Sequence, residues 1–194
     1  VGYTYKTPIV VFTDKDYSDS QISIMNEDGS EIQEITFGTL KKNYPRLSPD
    51  RNKIIFELID KDEYSNDIPI LYTMNLNGSE LTKLITESTQ PSWSSKDKIA
   101  FVPKYGFQVI YLFDLFNPSV KEKLIEEYTV HKTPSFSPDR NSLICYFNNQ
   151  DITQIDIATR DYITIIPGDK NNGIYNMEPE FSPDGKNIVF SSNM

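Results

Sequence analysis

Short apolar runs separated by polar, turn-rich clusters occupy the whole chain, and they come in two kinds. Gln21-Ile-Ser-Ile-Met25 alternates with a period of two, as a half-buried strand does. Lys53–Leu58, Lys98–Val102 and Ser142–Phe147 are continuous runs rich in Ile, Val and Phe, as strands covered on both faces are. No window holds a sustained helical period; the nearest candidate, Val120 to Tyr128, is short. The pattern predicts strands at Ile9–Thr13, Gln21–Met25 and Ile32–Thr36, after a degenerate one near residues 1–5. Further strands are predicted at Lys53–Leu58, Ile70–Asn75 and Leu81–Thr86, then at Lys98–Val102, Gln108–Asp114 and Val120–Ile125. Ser142–Phe147, Ile152–Ile157 and Tyr162–Ile166 follow, and a last pair begins at Tyr175.

The apolar runs are tied to a recurring phrase. Tyr44-Pro-Arg-Leu-Ser-Pro-Asp-Arg-Asn-Lys-Ile-Ile-Phe56 returns as Thr133-Pro-Ser-Phe-Ser-Pro-Asp-Arg-Asn-Ser-Leu-Ile-Cys145. It appears again as Glu178-Pro-Glu-Phe-Ser-Pro-Asp-Gly-Lys-Asn-Ile-Val-Phe190, with a worn copy from Gln90 to Phe101. The leading prolines, 45, 91, 134 and 179, stand 46, 43 and 45 residues apart. Ser-Pro-Asp followed by Gly or Arg suits a type I turn between two strands, with Pro pre-setting φ and Asp accepting backbone N–H bonds. A second tip, Asn26-Glu-Asp-Gly-Ser-Glu31, is matched by Asn75-Leu-Asn-Gly-Ser-Glu80, and its glycine supplies positive φ. Four short strands per repeat of about 45 residues describe the blade of a β-propeller. The chain is therefore expected to be all-β, one propeller domain over 1–194. Its repeats run at about 1–43, 44–88, 89–129 and 130–172, with a partial one over 173–194. Leu47, Trp93, Phe136 and Phe181 share one repeat position and are expected to pack between blades.

Composition narrows the chemistry. A net charge of −9 gives no basic footprint for nucleic acid. Cys145 is the single cysteine, so no internal disulfide framework exists, and it stands where other repeats carry Phe, which reads as a small buried hydrophobe. No run of 18 apolar residues is present, so no transmembrane segment is expected. The chain opens on Val1 rather than Met, so the lack of a leader does not fix the compartment. His131 is the one histidine, excluding a multi-histidine metal site. Neither a Gly-x-Ser-x-Gly elbow nor a Gly-rich phosphate loop occurs. Asp14-Lys-Asp-Tyr-Ser-Asp19 begins like a calcium loop, but Asp19 stands where the Gly belongs and Met25 where the closing Glu belongs. No catalytic residue, metal or cofactor is expected.

The phrase Pro-x-Phe-Ser-Pro-Asp-Gly-x-x-Ile-x-Phe, with the Asn-Gly or Asp-Gly tip and the strand after it, resembles the WD-like repeat of TolB-type propellers over essentially the whole chain. In that family the propeller is six-bladed and periplasmic and binds a partner of the Tol–Pal envelope system. The resemblance therefore implies a periplasmic or cell-envelope protein that binds a protein or peptide. The same repeat occurs in the non-catalytic propellers of prolyl-oligopeptidase-like peptidases and in some lyases, so a substrate-gating propeller is the alternative, with carbohydrate binding a second one. Only about four and a half repeats are present. An incomplete or open ring is thus expected, with self-association through the unfinished blade as one way of closing it. In a blade, the loop between strands two and three and the loop entering strand one share one end. That end is expected to carry the binding residues Tyr17, Tyr44, Tyr64, Tyr105, Tyr128, His131 and Tyr175, because tyrosine offers rigid contact area with a polar tip. The acidic loop Ile59–Ile68 exceeds its counterparts in length.

Overall fold

The computed structural model describes residues 9–14, 20–94, 97–106, 109–125, 131–148 and 150–193. Seventeen strands and no helix occur among them, and they form five antiparallel sheets. Three are four-stranded. The first contains β4 (Lys42–Leu47), β5 (Lys53–Lys61), β6 (Asp67–Asn75) and β7 (Thr82–Thr86). The next holds β8 (Ser88–Trp93), β9 (Lys98–Pro103), β10 (Tyr111–Asp114) and β11 (Asn117–Lys123). The third holds β12 (His131–Phe136), β13 (Ser142–Phe147), β14 (Asp151–Asp156) and β15 (Tyr162–Ile166). A three-stranded sheet of β1 (Ile9–Asp14), β2 (Gln21–Asn26) and β3 (Gln33–Glu34) precedes them, and the pair β16 (Asn176–Phe181) and β17 (Ile188–Ser192) follows. Strands pair in chain order within every sheet, the meander of a propeller blade.

The chain divides into two compact units, Val1–Ser88 and Thr89–Met194, at the boundary between the second and third repeats. In the first unit Ile22, Ile24 and Ile35 of blade one interdigitate with Ile54, Phe56, Leu58 and Met74 of blade two. In the second, Ala100, Val102, Ile110 and Leu112 of blade three pack on Phe136, Leu143, Cys145 and Ile155 of blade four. Each core is thus made between blades, because a single sheet cannot bury its own faces. Trp93 and Phe136 are buried as the repeat predicts, whereas Leu47 and Phe181 are only half-buried.

The Ser-Pro-Asp turns share one hydrogen-bond plan. Ser48 accepts the Arg51 N–H at its carbonyl (2.8 Å), and its hydroxyl donates to Asp50 Oδ1 at 2.6 Å while accepting the Lys53 N–H at 2.9 Å. Ser137 with Asp139 and Ser182 with Asp184 repeat the serine–aspartate bond at 2.6 and 2.7 Å. In all three turns the fourth residue lies in the left-handed region, Arg51 at φ 57°, Arg140 at 64° and Gly185 at 71°.

Several strands differ from the sequence expectation. The outer strand of blade one covers Gln33–Glu34 rather than Ile32–Thr36, because the Ile22 N–H is taken by the Thr36 hydroxyl (2.8 Å) instead of a ladder carbonyl. The third strand of blade three starts at Tyr111, not Gln108, and its outer strand lies earlier, at Asn117–Lys123 rather than Val120–Ile125. The largest difference is in blade two, where half of the expected loop Ile59–Ile68 is strand, leaving residues 62–66 as the turn.

The innermost strands hold a feature that the sequence does not announce. The residue before each repeat proline has positive φ: Tyr44 (50°), Gln90 (53°), Thr133 (49°) and Glu178 (53°). In β4, β12 and β16 the ladder register shifts at this point. Each is a bulge closed by a buried proline. In the second unit the bulges stitch neighbouring blades together: Gln90 Oε1 accepts the Thr133 N–H at 2.9 Å, and Ser135 Oγ donates to Glu180 Oε2 at 2.8 Å.

Candidate functional site

Antiparallel pairing fixes which residues gather at one end of each blade. In blade two Lys42, at the start of β4, pairs with Leu58, so the entry to β4 and the β5–β6 turn share an end. The Ser-Pro-Asp turn and the Asn75–Glu80 tip lie at the other. The hairpin of β5 and β6 runs in unbroken register through nine pairs, from Lys53↔Asn75 to Lys61↔Asp67. Pairing with β4 stops at Leu58 and pairing with β7 stops at Ile70. The Ile59 N–H still donates to the Lys41 carbonyl (2.8 Å) and Pro69 is buried, so the last two pairs, Asp60↔Ile68 and Lys61↔Asp67, continue as a two-stranded ribbon, projecting roughly 7 Å past the blade at about 3.3 Å per residue.

A fixed turn closes that ribbon. Asp62 Oδ1 accepts the N–H groups of Tyr64 (2.9 Å) and Asn66 (2.8 Å), and Asn66 Nδ2 donates to Asp62 Oδ2 at 3.0 Å. The backbone adds Asp62 N–H to Asn66 carbonyl and Ser65 N–H to Asp62 carbonyl, both 3.0 Å. Lys61 Nζ meets Asp67 Oδ1 at 2.5 Å across the base of the turn. At its tip Tyr64 is 77% exposed. Asp62 and the Lys61–Asp67 pair are engaged inside the hairpin, so Glu63 beside Tyr64 is left facing outward with its charge.

The remaining expected site residues divide three ways. Tyr105 follows β9 in the connection to β10; it is exposed, and Lys104 Nζ sits 5.1 Å from its ring centroid, a cation–π contact that holds the ring. Tyr175 enters β16, also exposed, with its N–H donating to Asn193 Oδ1 at 2.7 Å. The neighbouring Asn176 N–H donates to the Gln150 carbonyl at 3.1 Å, which sets Tyr175 at the β13–β14 end of blade four. Tyr146 on β13, which sequence reasoning did not select, lies near it. Burial pushes the Tyr146 hydroxyl above its ordinary value, and Tyr175 adds to the shift. Tyr44 is not a loop residue but part of β4, half-buried at the bulge, and His131 is the first residue of β12. Tyr17 and Tyr128 lie outside the described residues, as does the side chain of His131, and Asp14–Asp19 is described only at Asp14.

No group of three or more His, Cys, Asp or Glu suited to a metal ion occurs among the described residues. Cys145 is fully buried, and burial pushes its thiol far above the ordinary value. No helix of the described residues is long and apolar enough to cross a membrane.

No protein-family model matches the chain, and no curated protein does. Solved structures do. The fold is similar to that of TolB from Acinetobacter baumannii, with a TM-score of 0.73 at 17% identity over 94% of this chain and 46% of that one. A structure described as TolB from Agrobacterium tumefaciens gives 0.60 at 15% identity, over 91% and 79%. A puromycin-hydrolyzing peptidase from Mycobacterium tuberculosis gives 0.67 at 13% identity, over 90% of this chain and 30% of the peptidase. The chain thus spans about half the length of the first and under a third of the peptidase. Ordered meanders, interblade cores and these likenesses agree: the chain has the TolB-like propeller fold, all-β and built from four-stranded antiparallel blades.

Proposed function

We propose that the protein is a non-enzymatic binding scaffold that engages a protein or peptide through the strand-two to strand-three end of its blades, with the β5–β6 hairpin as the leading element. The observation that supports this most is the projecting ribbon, whose locked turn presents Tyr64 at 77% exposure. A turn already fixed by Asp62 loses little freedom on association, and that cost otherwise subtracts from affinity. With Glu63 next to the ring and a net charge of −9, the preferred partner has an apolar pocket rimmed by basic groups. By likeness to TolB, the compartment is the periplasm or cell envelope. A photo-cross-linking residue at position 64, with position 77 at the opposite end of the same blade as control, tests the reading. The expected outcome is one protein product from 64 and none from 77. Equal labelling from both positions, or from neither, overturns it.

The peptidase likeness supports a second reading, in which these blades belong to the substrate-gating propeller of a longer peptidase. A coding sequence that continues into an α/β-hydrolase domain with its Gly-x-Ser-x-Gly elbow would favour that reading over the first.

A further inference from the structure

In the first compact unit, between blade one and blade two, lies a cavity of about 390 Å3 unrelated to the hairpin tip. This volume falls within the range of small-molecule sites. Its walls are apolar: Ile35, Phe56, Leu58 and Met74 behind, with Phe37 and Leu81 at the mouth. Phe37 is 75% and Leu81 57% exposed, so the mouth presents apolar side chains to solvent. The opening exists because the outer strand of blade one is cut to two residues, which turns the segment 35–41 into a loop.

Among the described residues, one charged side chain lines this cavity. Lys42 is buried, and its Nζ donates to Gln21 Oε1 at 2.7 Å and to the Phe37 carbonyl at 3.1 Å. Both acceptors are neutral. An ammonium has three N–H donors, so one is left over. Burial holds Lys42 below the ordinary lysine value, while Glu34 pulls it back up. Two neutral acceptors nearby are already engaged: Gln21 Oε1 also receives the Thr36 hydroxyl (3.1 Å), and the Gly38 carbonyl receives Gln21 Nε2 (2.9 Å).

We propose that this cavity binds a small monocarboxylate with an apolar tail, the carboxylate taking the third N–H of Lys42 and the tail lying against Met74, Phe56 and Leu58. A single cation fits one carboxylate; among the described residues no second cation lines the cavity to share a phosphate. The walls offer few unengaged hydrogen-bonding groups, which favours an alkyl tail over a peptide, whose amides would lose their partners on entry. The segment 37–42 enters β4 at the same end of blade two as the hairpin, but no residue of the hairpin tip lines the cavity, so either reading can fail without the other.

The test uses the whole chain with labelled methionine methyls, Met74 being buried in the cavity wall. Octanoate is expected to shift the Met74 methyl saturably. Octanamide, of equal length but uncharged, is expected to bind at least tenfold more weakly, and a short peptide ending in leucine carboxylate more weakly than octanoate. Lys42→Met should reproduce the tenfold loss with the other methionine signals in place. Leu81→Trp, at an exposed position where folding is not at risk, should occlude the mouth and abolish the shift. Equal binding of octanoate and octanamide, unchanged binding by either variant, a preference for the peptide, or no saturable shift would each overturn the proposal.

Discussion

Ser48→Ala probes the Ser-Pro-Asp turn that three of the repeats share. The Ser48 hydroxyl is buried, donates a 2.6 Å bond to Asp50 and accepts the Lys53 N–H at 2.9 Å and the Asn52 N–H at 3.2 Å. A net bond contributes about 0.5–1.5 kcal/mol, and a stranded buried donor costs about 1–3 kcal/mol. Asp50 is largely exposed, which weakens its share through solvent screening. Together these give a loss of about 2 kcal/mol, carried mainly by the stranded Lys53 N–H. Urea denaturation of the variant should show that loss with an unchanged slope. Ser182→Ala removes the equivalent hydroxyl in a half-buried turn, where water can replace the bond to Asn187, so its cost should be clearly smaller. The aspartate supplies a second readout. Asp50 is held below its ordinary value first by the Ser48 bond, so in Ser48→Ala its carboxyl should titrate closer to 3.8. With a depressed folded value, its stabilisation is present above the unfolded value and lost as pH falls through the folded one. Equal losses at 48 and 182, or an Asp50 titration that does not move, would refute the hydroxyl as the centre of the turn.

Other consequences follow from single contacts. Gly185→Ala places a Cβ at φ 71° and 3.3 Å from Pro138 Cδ, and should cost about 1–2 kcal/mol, whereas Arg140→Gly at the equivalent site should change stability by only about 0.5 kcal/mol, strain relief offsetting unfolded-chain entropy; paired denaturation curves check the asymmetry. Cys145 should resist an aromatic disulfide reagent in the native protein and react at once in denaturant, read by absorbance. For Lys42 the unfolded chain binds more protons between the lowered folded value and 10.5, so the stability of the wild type should rise with pH through that window relative to Lys42→Met, measured by denaturation across alkaline pH.

The blade plan was legible because it rests on local chemistry repeated along the chain: three Ser-Pro-Asp turns, two matching Gly tips, and apolar runs that only strands accommodate. Ser142–Phe147 and Tyr162–Ile166 fall where the pattern places them. The β5–β6 extension was not, because Asp60, Lys61 and Asp67 read as loop residues. A ribbon that projects into solvent needs no apolar face and is held by backbone pairing. The bulges were hidden for the opposite reason. A residue before proline is biased toward extended backbone, so positive φ at Tyr44 or Thr133 contradicts the local preference and persists only through packing around the buried prolines. Of the residues expected at the binding end, Tyr64, Tyr105 and Tyr175 are exposed, whereas Tyr44, expected on a loop, is part of a strand. Tyr146 and Lys42 were missed because single residues in strands carry no pattern; their environment is tertiary.

The proposed partner binding rests most directly on the energy that Tyr64 would contribute. With the partner identified by cross-linking, its dissociation constant should be measured for the wild type, Tyr64→Ala and Asn77→Ala. An aromatic anchor at a hairpin tip predicts a loss of about 2 kcal/mol for Tyr64→Ala, roughly 30-fold, and no change for Asn77→Ala at the other end of the blade. Equal affinities for the wild type and Tyr64→Ala would contradict it.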